Sequence, residues 1–92
     1  MNMFLSIFPS RDYTPVEDYL IRRCKLRIKM HEIQSMEQII KLDFTALVDL
    51  RSKMFNWCET SLVGDGYYDS DQTAYWFEKE EDRLAFVLQF RL

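Results

Sequence analysis

CKLRIKM, residues 24–30, decides the fold of this chain because it fits two incompatible periods at once. Read with period two, Leu26, Ile28 and Met30 fall on one side and Lys25, Arg27 and Lys29 on the other, as in a half-buried strand. Read with the helical period, Val16, Leu20, Cys24 and Ile28 recur every fourth residue and extend a stripe that starts upstream. That upstream start is well marked. Thr14-Pro15-Val16-Glu17 is a capping box, with proline at the first helical position, where its missing N–H costs nothing. No Gly, Pro, Asn or Asp occurs between residues 19 and 34 to turn the chain. The spacing therefore favours one continuous helix from residue 15 to about His31.

Working outward, Phe4, Leu5, Ile7 and Phe8 carry no helix cap and read as a strand over residues 3–8, stopped at Pro9 by the missing backbone donor. Ser35-Met36-Glu37-Gln38 is a second capping box, and Asp43 supplies a point of restart. From there Phe44, Leu47, Val48, Arg51, Phe55 and Cys58 keep a three-or-four spacing, so the second helix runs to about Glu59. Gly64-Asp65-Gly66 is expected to end it through glycine's access to left-handed conformations, and a loop follows. Thr73 to Lys79 is rich in rings and β-formers, Glu80-Glu81-Asp82 is a charged connection, and Leu84, Phe86, Leu88 and Phe90 alternate to the end. These segments are two strands, or a strand, one helical turn over 80–86 and a short terminal strand. The order β-α-α-β-β predicts an α+β fold, a three-stranded antiparallel sheet with two main helices packed on one face. Its expected core is Phe4, Ile7, Leu20, Phe44, Leu47, Val48, Phe86 and Leu88.

Ninety-two residues with 48% hydrophobic content support one domain over 1–92 with one modest core. The apolar opening from Met1 to Phe8 is far shorter than a membrane span and has no basic flank, which reads as a soluble, cytoplasmic chain. Cys24 and Cys58 stand far apart, so reduced and partly buried thiols are expected. His31 is the only imidazole. It cannot complete a nucleophile–base–acid set or, with two distant cysteines, a zinc site, and it reads as a surface or boundary residue. Asp65, Asp69 and Asp71 miss the spacing of a calcium loop, and Gly64-x-Gly66 lacks the third glycine of a phosphate cradle. The residues thus predict no enzyme, no metal and no cofactor.

Charge is the informative feature. Up to Lys53 nine Lys or Arg face seven acids, whereas from Met54 onward three face eight, within a net charge of −3. The eight are Glu59, Asp65, Asp69, Asp71, Glu78, Glu80, Glu81 and Asp82. Tyr67, Tyr68, Tyr75, Trp76 and Phe77 are interleaved with them, and Tyr and Trp are common anchors of protein interfaces. In a strand Glu78 and Glu80 would project from one face about 6.6–6.8 Å apart. That is about twice the 3.4 Å rise per phosphate of a DNA strand, so the pair is spaced like alternate phosphates.

The opening Met-Asn-Met-Phe-Leu and above all the tail AYWFEKEEDRLAFVLQFRL, residues 74–92, resemble the small early proteins of T-even-type bacteriophages. In that group a Phe-Glu-x-Glu-x-Asp run precedes an apolar strand, and Phe77 to Asp82 matches it. The resemblance implies an anti-restriction protein of the DNA-mimic kind. Such a protein would act as a homodimer in the infected bacterial cell, occupying the DNA-binding region of a host restriction nuclease of the McrBC type or another DNA-binding host protein. The eight acids would be the partner-binding residues, with neither membrane nor nucleic acid bound directly. The rival readings are direct nucleic-acid binding through Arg22, Arg23, Lys25, Arg27 and Lys29, and inhibition of another host protein. In a helix those five cations would scatter over several faces.

Overall fold

The computed structural model describes residues 2–8 and 12–91. In chain order the elements are β1 (Phe4–Ile7), α1 (Pro15–Arg23), β2 (Leu26–Lys29), α2 (Met30–Ile33), α3 (Met36–Ile40), α4 (Phe44–Ser61), β3 (Gly66–Asp69), β4 (Ala74–Phe77) and α5 (Glu80–Phe90). Pro9, expected to stop the first strand, lies outside the described residues. The strands form one four-stranded sheet in the order β1-β3-β4-β2. β1 runs parallel to β3, and the other two pairings are antiparallel. The expected three-stranded antiparallel sheet is thereby corrected to a four-stranded mixed one, accompanied by five helices among the described residues.

The correction begins at residue 24. α1 opens as its sequence demands, with the Glu17 amide donating to Thr14 Oγ1 at 3.2 Å and the Thr14 amide to Glu17 Oε1 at 2.9 Å. It ends at Cys24, whose backbone is extended (φ −95°, ψ 102°), a conformation open to any L-residue, so the chain leaves the helix without a glycine or proline. β2 then pairs Leu26 with Phe77 and Ile28 with Tyr75 along the edge of the sheet. Period two prevails because it places Leu26 and Ile28 together on one face, against Phe77 and Tyr75, and leaves Arg27 and Lys29 on the other.

Helices cover both faces of the sheet, not one. Phe4, Ile28, Tyr68, Tyr75 and Phe77 pack with Met54 and Cys58 of α4 and Phe86 of α5. On the opposite face Ile7, Tyr67 and Trp76 meet Leu20, Ile21 and Cys24 at the end of α1. The ring-rich segment is therefore mostly core: Tyr67 stacks on Trp76 at 5.9 Å, and Phe86 contacts both Tyr75 (4.8 Å) and Phe77 (5.3 Å). Both cysteines are free and buried, and desolvation holds the Cys24 thiol up to about 12.

Three expected core residues, Phe44, Val48 and Leu88, are exposed, the first two at 81% and 44%, and Leu47 is only half-buried. A four-residue strand spans about 13 Å, whereas the 18 residues of α4 extend about 27 Å, so the first turns of the helix overhang the sheet. Leu88, 70% exposed, was assigned to a strand that is in fact α5. There the buried residues are Asp82 and Phe86, and Phe90 continues the same every-fourth-residue face against Trp57. Glu80, Glu81 and Asp82 are not a connection but the first turn of that helix, where acids oppose the positive end of its dipole.

The expected loop after the glycines is the central strand β3, and no described glycine has a positive φ. Gly66 is required by close approach instead. A Cβ there would stand 2.9 Å from the Trp76 carbonyl oxygen and 3.2 Å from the Phe4 ring. The Gly66→Ala variant is expected to lose about 1–3 kcal/mol through overpacking between β1 and β4. Urea unfolding measures this directly, and an unchanged midpoint would refute the close-approach reading.

Candidate functional site

The fold sorts the eight acids of the C-terminal half into two places. By register, Gly66 opposes Phe77 at one end of the β3–β4 hairpin and Asp69 opposes Ala74 at the other. Asp69 and Asp71 therefore stand at the turn, about 13 Å along the strands from the Asp65–Glu78 end. Asp69 Oδ1 accepts the Asp71 and Gln72 amides at 3.0 and 3.2 Å, which holds the turn that passes through Thr73 at φ 49°.

At the opposite end, two carboxylates point inward. Asp82, 2% exposed, accepts the Val63 amide at 2.9 Å and the Gly64 amide at 2.8 Å. Asp65, 5% exposed, accepts the Met3 amide at 2.8 Å and the Tyr19 hydroxyl at 3.1 Å. These bonds compensate the loss of hydration that a buried charge otherwise suffers. Glu78 is half-buried between them. Its Oε1 accepts the Asp65 amide at 3.1 Å and its Oε2 the Arg23 guanidinium at 2.9 Å. The Asp65 amide, helped by Arg23, holds the Glu78 carboxyl below the usual carboxylate range.

Glu78 and Glu80 do not share a strand face, because β4 ends at Phe77 and Glu80 opens α5. Glu80 instead pairs with Arg83 at 3.0 Å, which holds its carboxyl low. Glu59 and Glu81 are exposed and make no ion pair among the described residues. The outward carboxylates at this end are thus Glu59, Glu80 and Glu81, carried on a frame fixed by Asp65, Glu78 and Asp82.

The basic segment is divided as well. Arg22 pairs with Asp18 at 3.0 Å and Arg23 with Glu78. Arg27 and Lys29, by strand alternation, share the face that carries Trp76, and the Arg27 guanidinium lies 5.9 Å from that ring's centre, while Lys25 is exposed just before the strand. His31 is exposed on α2. Among the described residues no group of three or more His, Cys, Asp and Glu is arranged to hold a metal ion, and no helix is long and apolar enough to cross a membrane.

A set of exposed apolar side chains escaped the sequence reading. Met36, Ile40, Phe44 and Val48, four residues apart across α3 and the start of α4, are all exposed. The signal was present in the capped breaks at Ser35 and Asp43, which make α3 a five-residue helix with no buried residue. Tyr19, which clasps the acidic end from α1 beside Arg23, was also missed, since its partner lies 46 residues away.

The chain matches no family model, no curated protein and no solved structure.

The two kinds of acid separate by substitution. Asp82→Ala leaves two amides without an acceptor and is expected to cost about 2–4 kcal/mol, whereas Glu81→Ala should change stability by about 0.5 kcal/mol or less. Chemical denaturation of both variants decides the matter, and equal effects would contradict the assignment.

Proposed function

We propose that this chain is a non-enzymatic binding protein that pairs with itself and competes with DNA for a host DNA-handling protein, a restriction nuclease of the McrBC type. The pair acts in the cytoplasm of an infected bacterial cell. The observation that carries the reading is the combination of outward Glu59, Glu80 and Glu81 with a backbone already fixed by buried Asp65 and Asp82. Charges on a fixed frame need little ordering when they meet a cationic groove, so more of the contact energy remains for affinity. Among such phage early proteins the chain, from its Met-Asn-Met-Phe-Leu start to the tail from Ala74, resembles the anti-restriction protein Arn.

Self-pairing is supported by the exposed apolar side chains of α3 and α4. Met36, Ile40, Phe44 and Val48 are flanked by both signs of charge, Glu37, Asp43 and Asp49 with Lys41 and Lys53. Apolar surface with mixed charges around it suits a contact between two like copies. A twofold pair also doubles the acidic surface, which one copy presents in only a few residues.

A second reading draws on a specific feature. As a strand, residues 26–29 bring Arg27 and Lys29 to one sheet face beside Trp76, an arrangement of cations and ring that suits single-stranded nucleic acid.

One set of measurements separates the readings. The protein is expected to release methylated DNA from a McrBC-type nuclease in a gel shift, progressively less as salt rises. Glu59→Lys with Glu81→Lys should weaken release at least tenfold without unfolding the domain. Sedimentation should give twice the 11.2 kDa monomer, and the monomer for Phe44→Glu. Retardation of DNA by the protein alone, lost on Arg27→Gln with Lys29→Gln, would replace the mimic by direct binding. A wild-type monomer at high micromolar concentration would overturn self-pairing.

A further inference from the structure

A groove of about 500 Å³ opens between α4 and the sheet face that carries Tyr68 and Tyr75, a volume within the range of small-molecule sites. Helix periodicity brings Arg51, Ser52, Phe55 and Asn56 to one wall, and Ser6 of β1 and Tyr68 of β3 form the other. No carboxylate lines it. Arg51 makes no ion pair among the described residues. It donates one bond, from Nη2 to the Tyr68 hydroxyl at 3.3 Å. Elsewhere Arg22, Arg23 and Arg83 each hold a carboxylate. The neighbouring Asp49 is bound to Lys53 at 3.0 Å and is not part of the lining.

A guanidinium has five donors in a planar fork suited to carboxylate or phosphate, so most of Arg51's capacity is open toward the groove. Ser6, Ser52 and Asn56 add neutral hydrogen-bonding groups without competing charge. The remaining walls are rings: Phe55, in edge contact with Phe4 at 5.0 Å, and the Tyr68–Tyr75 pair at 4.8 Å. An adjoining apolar recess of about 210 Å³, walled by Met30, Ile39 and Leu47, shares Arg51, Tyr68 and Tyr75 with the groove. Cation, neutral polar groups and ring surface converge on one space.

We propose that this groove binds a small aromatic anion, a flat ring bearing a carboxylate or a phosphate. The anionic group sits on the Arg51 fork within reach of Ser52 and Asn56, and the ring lies against Tyr68 and Tyr75 toward the recess. The site uses none of Glu59, Glu80 and Glu81, so it stands or falls apart from the competition with DNA, although Val48 at its rim also belongs to the proposed self-pairing surface.

Titration of the full chain with phenyl phosphate and, separately, with benzoate, followed by amide chemical shifts, tests the proposal. At least one probe is expected to give saturable shifts centred on Arg51, Ser52, Asn56 and Tyr68, and the better of the two identifies the anionic group. Arg51→Gln, at an exposed helix position, should weaken binding at least tenfold. Lys53→Gln, two residues on and outside the groove, should leave it unchanged. Absence of saturable shifts with both probes at millimolar concentration would overturn the proposal. So would equal losses in the two variants, or binding of inorganic phosphate as tight as that of phenyl phosphate.

Discussion

The Asp82 carboxylate, buried in the first turn of α5 and bonded to the Val63 and Gly64 amides, fixes the connection on which the sheet depends. Only residues 62–65 separate the end of α4 from the start of β3. In that distance the chain must leave a helix and enter the middle of the sheet. Two amides there have no backbone partner of their own, and Asp82 supplies the acceptors. Asp65 does the same one step later, joining the Met3 amide before β1 to the Tyr19 hydroxyl of α1. Through two carboxylates, β1, α1, β3 and α5 meet at one end of the molecule.

That arrangement divides the acids by task. Carboxylates that hold the backbone are desolvated and cannot meet a partner. Those next to them in sequence, Glu80 and Glu81, point outward from a helix whose first turn is already anchored. The acidic run is therefore a structural clasp and, in the function we propose, also the edge of a binding surface to which the clasp gives rigidity. The groove beside Arg51 lies on the α4 side of the sheet and has the opposite charge character, so the two surfaces suit different ligands.

Local chemistry made part of this legible. The capping boxes at Thr14 and Ser35 and the restart at Asp43 are contained within a few residues, and the structure has all three. β2 was hidden because its apolar residues fit both periods and only pairing with β4 selects one. α5 was legible only as an alternative, one helical turn over 80–86, because Phe86 and Phe90 belong equally to an alternating run and to a four-residue spacing. Gly66 was assigned a left-handed turn when its role is to let three strands approach. The inward turn of Asp65 and Asp82 had no local signal at all, since burial is decided by residues up to 62 positions away. The acidic composition was readable, and its division between interior and surface was not.

The most direct test of the Asp82 clasp is amide hydrogen exchange at Val63 and Gly64. With both amides bonded to a buried carboxylate, their exchange should be as slow as that of the β3 core and require near-global unfolding. Asp82→Asn, which keeps the shape but removes the charge and one acceptor oxygen, should speed exchange at these two positions more than at Tyr68 or Tyr75. Exchange at Val63 and Gly64 as fast as in an exposed loop of the wild-type protein would contradict the account.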